Sequence, residues 1–229
     1  MAHFSETESH PVFPVFLVID VSYSMAGEPI EAVNAALPDL KAAIEDDPTV
    51  GELARVAVIA FADTATVVLP LSDLQYAGLP LLEPGGATNF AEAFRAAREE
   101  IERAIRGLGR GSRFYRPVLF FMSDGMHVAD EDWRGPLRQL TSPDWPFAPE
   151  VVAFGFGAAE AEALGTIATR YAFKANGADP AAQAREIIST LVRSIRTTSG
   201  SLRPDGDGGL VVDVDRSKFT PLPLMEVRE

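Results

Sequence analysis

The amino-acid sequence predicts an α/β fold, namely a doubly wound, mostly parallel six-stranded sheet with one antiparallel edge strand and helices on both faces. Fully apolar segments such as VFLVID (residues 15–20) and PVLFFMSDG (residues 117–125) are typical of strands that are buried on both faces of a parallel sheet. These segments alternate along the chain with amphipathic helical patterns, and that alternation favours an open sheet covered by helices.

The elements are predicted in the order β-α-β-β-α-β-α-β-α-β-α. The first strand is followed by a helix that opens near Pro29, a favourable position for proline. The apolar segments 55–63 and 65–71 are too close for a helical crossover, so one of them is expected to run antiparallel. The clearest helix follows GGATN (residues 85–89), because apolar side chains recur at helical spacing from Phe90 to Leu108.

Three regions are expected along the 229 residues. Residues 13–196 are predicted to form one domain, preceded by a flexible tail at residues 1–12. At residue 197 the composition changes to Ser, Gly, Pro and Asp, which predicts a linker and a loosely attached extension over residues 197–229. Within the extension, Leu210–Val214 is apolar enough to add a short strand.

Composition narrows the classes of partner. A net charge of -13 repels phosphate backbones, so nucleic acid is not expected, whereas cations and basic surfaces are attracted. The absence of cysteine excludes disulfides, zinc–thiolate sites and thiol catalysis. No apolar run has the length of a membrane helix, and the first residues lack a signal-peptide pattern. We therefore expect a cytoplasmic monomer without a membrane partner.

Five oxygen-bearing side chains are predicted to meet at one edge of the sheet. Asp20 and Asp124 directly follow buried strands, and the D-x-S-x-S pattern adds Ser22 and Ser24. Thr88 begins the long helix after a glycine pair. In open α/β sheets ligands bind beyond the carboxyl ends of the strands. Two carboxylates and three hydroxyls without histidine or cysteine favour a hard cation, Mg²⁺ or Mn²⁺, with a position left for a partner.

These residues carry a family resemblance. DVSYSM, GGATN and MSDG resemble the three segments of a metal-ion-dependent adhesion site (MIDAS) in von Willebrand factor A domains, and the resemblance covers roughly residues 13–196. The stretch PVFLVIDVSYSMAGEPIEAVNAAL is similar to the TerY-like branch, a bacterial group linked with tellurium resistance and stress gene clusters. The resemblance implies that the metal ligands are Asp20, Ser22, Ser24, Thr88 and Asp124.

The resemblance also implies a function and a partner. It indicates a protein-binding module that is not an enzyme, in which the cation accepts a carboxylate from an acidic residue of a protein partner. For the TerY-like branch it implies a metal-dependent protein phosphatase or a kinase as that partner. Tyr23 stands where this family commonly has glycine, so it adds bulk beside the site. The expected partner-contacting residues are Tyr23, Met25, Asn89, Gly125 and His127.

Several alternatives stay open at this point. Singly, Asp20 and Thr88 are typical of turn and cap residues, and SDG is a common turn. A phosphotransferase of the haloacid dehalogenase type is a weak alternative, because the second acid that it needs is Ser22 here. A third reading is a scaffold in which the metal is incidental. GFGAAE (residues 155–160) lacks the third glycine of a dinucleotide fingerprint and is interpreted as tight packing.

Two further segments have possible roles. The arginine-rich stretch 103–116 is interpreted as a solvated helix end, with a docking patch for an acidic or phosphorylated partner as the functional alternative. It should lie opposite the metal site. In the extension, Asp213 or Asp215 could reach the cation as an internal ligand and make the protein self-inhibited.

Overall fold

Seven strands form one mixed sheet in the computed structural model, which describes residues 11–109, 111–128, 131–202 and 209–226. The strands are β1 (Phe13–Asp20), β2 (Ala54–Phe61), β3 (Ala65–Ser72), β4 (Val118–Ser123), β5 (Glu150–Gly155), β6 (Tyr171–Ala175) and β7 (Phe219–Leu222). Their order across the sheet is β3-β2-β1-β4-β5-β6-β7. The five central strands are parallel, and β3 and β7 are antiparallel at the two edges. The predicted fold class is confirmed, with a seventh strand beyond the six expected.

Helices cover both faces of this sheet. They are α1 (Glu28–Glu45), α2 (Pro48–Leu53), α3 (Phe90–Gly107), α4 (Arg134–Thr141), α5 (Ala161–Ile167) and α6 (Pro180–Ser201). The apolar sides of α1, α2 and α6 pack in one core cluster, and those of α3, α4 and α5 pack in the other. The short helix α2 was not predicted; Asp47 begins it by accepting hydrogen bonds from Thr49 N and Val50 N.

The centre of the sheet fixes the candidate site. All eight residues of β1 are buried, because β2 and β4 flank it and helices cover both of its faces. The register pairs Asp20 with Phe61 of β2 and Ile19 with Met122 of β4. The ends of β1 and β4 are therefore level, so the residues that follow them emerge at the same carboxyl edge.

The described part of the C-terminal extension, residues 209–226, packs on the domain instead of being loosely attached. Leu210–Val214 is not a strand; instead, Val211 N and Thr198 Oγ1 are 3.1 Å apart, and Asp213 N donates to Ser194 Oγ at 3.0 Å. The strand forms later, at β7, where Phe219 is buried. Helix α6 also continues past residue 197 to Ser201. The proposed boundaries of the three regions stay predictions, and residues 1–10 of the tail lie outside the described residues.

Membrane insertion finds no support in the helices. None of the helices that the structure describes has the length and apolarity to cross a bilayer.

Candidate metal centre

The five predicted ligands come together at the carboxyl edge, joined by a chain of hydroxyl hydrogen bonds. Thr88 Oγ1 donates to Ser22 Oγ at 3.0 Å, and Ser24 Oγ donates to Asp124 Oδ1 at 2.7 Å. The Ser22 and Ser24 hydroxyl oxygens are 3.0 Å apart. Because the proton of Ser24 is committed to Asp124, Ser22 must donate to Ser24. Asp20 joins the cluster through its Oδ1 atom, which accepts the Ser22 backbone N–H at 2.9 Å.

Burial makes both carboxyl groups costly to ionise. Asp20 is fully buried and Asp124 is 7% exposed. Burial raises the pKa of Asp20 to about 6, against the opposing effect of hydrogen bonds from Ser123 and Ser22. Burial also raises the pKa of Asp124, against the hydrogen bond from Ser24. No Lys or Arg of the described chain pairs with either carboxyl group, so a bound cation would supply the missing positive charge.

Ser123 is a site residue that the sequence did not reveal. Its side chain is fully buried and donates a hydrogen bond to Asp20 Oδ2 at 2.5 Å. The Ser123 hydroxyl oxygen in turn accepts the Gly125 backbone N–H at 3.3 Å. Ser123 thus fixes the orientation of the Asp20 carboxylate, as hydrogen-bond partners of metal ligands commonly do. The only signal in the sequence was a polar residue at the end of an otherwise apolar strand.

Asp63 holds the loop that contains Gly85 and Gly86 in place, and this role was not predicted from the sequence. Its Oδ1 atom accepts the Ala87 backbone N–H at 3.0 Å. The loop lies against the segment after β1, with Gly85 N donating to Val21 O at 2.7 Å and Tyr23 N donating to Gly86 O at 2.9 Å. Gly86 has φ +79° and a Cβ there would collide with the Asp63 carboxyl group, so glycine is required. This arrangement sets the position of the Thr88 hydroxyl opposite Ser22.

The segment after β1 is a short 3₁₀ turn, Tyr23–Met25, and not extended chain. Tyr23 points outward and is 73% exposed, whereas Met25 is fully buried in the core. In this conformation the Met25 side chain supports the turn from below and is not available to a partner. The turn still brings the Ser22 and Ser24 hydroxyl oxygens to within 3.0 Å of each other.

The other expected partner-contacting residues have structural roles in addition. Asn89 caps α3, because its Oδ1 atom accepts the Glu92 N–H at 2.9 Å. Gly125 is buried, and a Cβ there would lie 3.3 Å from Thr88 Oγ1, so a side chain would crowd the cluster. The His127 ring is half-buried against Phe90 and Trp133, with centroid distances of 5.7 and 5.5 Å. Its Nδ1 atom is 2.9 Å from the Val128 carbonyl oxygen.

The donor set fits a hard divalent cation. All five side chains offer oxygen, two of them as carboxylates, and magnesium and manganese prefer such ligands. Within the described ranges no group of three or more His, Cys, Asp or Glu residues forms a competing metal site. The chemistry that this cluster supports is therefore cation binding through two carboxylates and three hydroxyls.

Two suggested internal ligands lie away from the site. Asp215 accepts the Ser217 backbone N–H at 2.9 Å, and its pKa is lowered mainly by the side-chain hydrogen bond from Ser217. The segment that carries Asp213 and Asp215 leads into β7, which is separated from β4 by two strands. The interpretation that either aspartate reaches the cation is therefore wrong for this conformation, because this segment is bonded to α6 instead.

The arginine-rich stretch lies at the opposite edge, as expected from its place before β4. Arg103 pairs with Glu100 at 2.6 Å, and Arg106 pairs with Glu102 at 2.7 Å. Arg116 donates to the Ala148 carbonyl oxygen at 3.0 Å. Arg110 of this stretch lies outside the described residues. These contacts favour the solvated helix end over a docking patch.

The sequence of the site region matches a known family. Residues 15–127 match the model of the von Willebrand factor type A domain. The fold is that of a von Willebrand factor type A domain. No curated protein matches the chain by sequence.

Solved structures with the same fold include a mussel protein. Proximal thread matrix protein 1 from the mussel byssus matches with a TM-score of 0.60 and 19% identity, over 82% of this chain and 49% of that chain. Another structure of that protein, with a TM-score of 0.59 and 18% identity over 82% and 49% of the two chains, has a zinc-occupied MIDAS motif.

A bacterial structure agrees. The von Willebrand factor type A protein from Catenulispora acidiphila matches with a TM-score of 0.57 and 18% identity, over 81% of this chain and 43% of that chain. The present chain thus spans about half, or less, of the length of these proteins. At these identities the comparison concerns the fold, and the function must be argued from the site.

Proposed function

We propose that this protein is a metal-dependent protein-binding module. A divalent cation held by Asp20, Ser22, Ser24, Thr88 and Asp124 would accept a carboxylate from a partner protein. The observation that carries the proposal is the pair of buried carboxyl groups with raised pKa values, joined to three hydroxyls and lacking a basic partner among the described residues. A bound cation supplies charge neutralisation and an open coordination position.

Mg²⁺ or Mn²⁺ is the cation that we propose. Both prefer oxygen ligands in an octahedral arrangement and retain positions for water or an outside ligand. Ser24 is exposed while Asp20 lies beneath it, so the cluster is open on the solvent side. An incoming carboxylate could therefore approach the cation from solvent.

The geometry favours binding over catalysis. The Ser22 and Ser24 hydroxyls interact with oxygen atoms, and His127, the histidine that the structure describes, is hydrogen-bonded to neither of them. His127, three residues after Asp124, has its Nδ1 atom 2.9 Å from the Val128 carbonyl oxygen. The haloacid dehalogenase alternative gains no support, because Ser22 replaces the carboxyl group that would act as general acid.

The biological setting is a further part of the proposal. The likeness of residues 14–37 to the TerY-like branch supports a bacterial stress or tellurium-resistance signalling complex in the cytoplasm. A metal-dependent protein phosphatase or a kinase would then supply the acidic residue.

Calorimetric titration with Mn²⁺ and with Mg²⁺ tests the metal site. We expect one site per chain and a loss of at least about tenfold in affinity in Thr88→Ala, because a direct ligand is removed. Thr49→Ala is the matched control, since Thr49 is exposed on α2 at the opposite edge. Equal affinities in Thr88→Ala and the control would contradict the proposal.

A capture experiment tests the partner. Wild-type protein and Thr88→Ala are incubated with bacterial lysate in Mg²⁺ or in EDTA, and retained proteins are identified by mass spectrometry. The proposal expects a partner that only the wild type retains, and only in Mg²⁺. A partner that is retained in all four conditions would place the interface elsewhere.

A further inference from the structure

The face that surrounds the metal centre contains acidic side chains but no basic ones. This metal face comprises the loops that follow β1, β2, β4, β5 and β6 and the segment before α3, in the described residues 21–27, 62–64, 81–89, 124–128, 131–133, 156–160 and 175–179. Their sequences contain neither lysine nor arginine. Their described acidic residues other than the ligand Asp124 are Asp63, Glu83, Glu131, Asp132, Glu160 and Asp179.

Basic side chains on the neighbouring elements are committed to other contacts. Lys174 Nζ donates to the Ala159 carbonyl oxygen at 2.8 Å. Arg95 pairs with Glu92 at 2.5 Å, and the Arg134 guanidinium stacks 4.6 Å above the Trp133 ring. Arg95 also lies 3.8 Å from Glu131, and the loop before β7 places Arg216 and Lys218 at the far end of the same edge. A divalent cation would be balanced by its own two aspartates. Among the described residues, Glu83 and Glu160 of the metal face form no ion pair and would keep this face acidic. They would repel a partner segment with several carboxylates and attract a segment with basic groups.

Large apolar side chains form an exposed rim around the ligands. Four of the eight large exposed apolar side chains of the described residues are on the metal face: Tyr23 at 73%, Leu81 at 73%, Met126 at 58% and Val128 at 40% exposure. Tyr23 lies between the two serine ligands, and Met126 follows Asp124 by two residues. The backbone N–H of Val128 donates to the Thr88 carbonyl oxygen at 3.0 Å. An apolar rim of this kind excludes water from a central polar contact.

A pocket of about 430 Å³ continues this rim on one side. Leu81 lines it together with Val21 and Gly85, and these two residues are hydrogen-bonded to each other in the loop that positions the site. The pocket therefore shares Val21 and Gly85 with the loops that position the proposed ligands. Its volume is large enough for an aliphatic side chain that flanks a metal-bound carboxylate.

We propose that the metal face recognises a single carboxylate set among basic and apolar residues of a partner segment, and that it rejects acidic stretches. The inference rests on the proposed function, because the cation provides the attachment for that carboxylate. It adds the chemistry of the flanking residues, which the charge of the metal face and its apolar rim select.

Three synthetic peptides test the inference with the full chain in Mg²⁺. They contain the core sequences Lys-Leu-Asp-Leu-Lys, Glu-Leu-Asp-Leu-Glu and Lys-Leu-Asn-Leu-Lys, and NMR titration of ¹⁵N-labelled protein measures their affinities. We expect the first peptide to bind at least about tenfold more tightly than either of the others, from charge complementarity and from metal ligation respectively. EDTA should abolish the difference between the Asp and Asn peptides.

Charge-reversal variants locate the effect. Glu83→Lys combined with Glu160→Lys changes two exposed residues of the metal face, and Glu45→Lys is the control at the far end of α1. The double variant should bind the lysine-flanked peptide more weakly and the glutamate-flanked peptide more tightly than the wild type does. The control should leave both affinities unchanged.

The outcomes separate this inference from the proposed function. If the chain binds Mg²⁺ and both Asp peptides bind equally, the inference is wrong and the proposed function stands. Mg²⁺ binding without binding of any peptide would also overturn the inference. If the chain binds neither Mg²⁺ nor Mn²⁺, the proposed function itself fails.

Discussion

The Asp20 side chain illustrates how a candidate metal site can lower the stability of the folded chain. It is fully buried, and its pKa of about 6 means that the folded chain keeps the neutral carboxylic acid to a higher pH than the unfolded chain does. Without a cation, raising the pH ionises this carboxyl group in the unfolded chain before it does so in the folded one. The contribution of the neutral Asp20 carboxyl group to the free energy of unfolding is therefore fully present below the unfolded pKa of about 4. This contribution is lost as pH rises through about 6. The shift corresponds to a penalty on the order of 3 kcal/mol at neutral pH.

Replacing this carboxyl group should stabilise the metal-free protein and abolish metal binding. In EDTA, Asp20→Asn should unfold at higher urea concentration than wild type at about pH 8, with little difference at about pH 4, because the amide needs no ionisation. An asparagine Oδ1 can still accept the Ser22 N–H. Addition of Mn²⁺ should stabilise the wild type only, since binding to the folded state raises its stability.

The matched control for this measurement is Asp39→Asn, an exposed residue of α1. It should follow the wild-type pH profile. Parallel pH profiles for wild type and Asp20→Asn would show that the buried carboxyl group does not carry the penalty.

Residues of the site differ in how far the sequence predicted them. Asp20 and Asp124 were predictable because each lies at the carboxyl end of an apolar segment that is typical of a buried parallel strand. The carboxyl ends of such strands lie at one edge of the sheet, where ligands bind. Ser123 was not, because a serine at the end of a buried strand and before Asp-Gly looks like part of a turn. Its role depends on the register of β4 against β1, which is a tertiary property. Met25 was expected to contact a partner, but the 3₁₀ turn directs its side chain into the core.

At the scale of elements, the C-terminal strand β7 completes the core. Proline within FTPL and the length of four residues conceal this strand in the sequence, and only its pairing with β6 makes it one. Phe219 is 1% exposed and its ring contacts those of Phe154 and Phe173, with centroid distances of 5.6 and 6.3 Å. The short helix α2 was similarly concealed, because six residues give too few turns for a periodic pattern.

Truncation of Phe219 should destabilise the whole domain. We expect Phe219→Ala to lower the free energy of unfolding by about 3–5 kcal/mol, the usual cost of removing a buried aromatic ring. Val211→Ala, at a position that is 39% exposed in the same extension, should cost much less. Urea denaturation in EDTA measures both. If both variants unfold at the wild-type midpoint, the extension does not contribute to the core in solution.

At the scale of the whole molecule, the topology of the sheet collects acidic residues around the proposed metal centre. The fold class was predictable because buried strands alternate with amphipathic helices, and that pattern admits few other architectures. The charge of the metal face was not predictable from the net charge of -13, because a total does not say where acids collect. Only the topology shows that the described loops around the metal centre contain no lysine or arginine, and that Arg216 and Lys218 lie apart from it at the β7 end of this edge. A cation that approached this edge would therefore meet an attractive field before it reached the proposed ligands.

This field should make metal affinity depend on salt. Exposed charges of the metal face are screened within about 10 Å at 0.1 M salt, whereas contacts between the cation and its buried ligands are screened much less. The affinity for Mn²⁺ should therefore fall several-fold between low and high KCl concentrations in calorimetric titrations. Glu83→Gln combined with Glu160→Gln should reduce this dependence, while Glu45→Gln, at the end of α1, should preserve it. If the double variant and the control show the same salt dependence, the field at the site arises from the total charge of the molecule, and the acids of the metal face have no special role in attracting the cation.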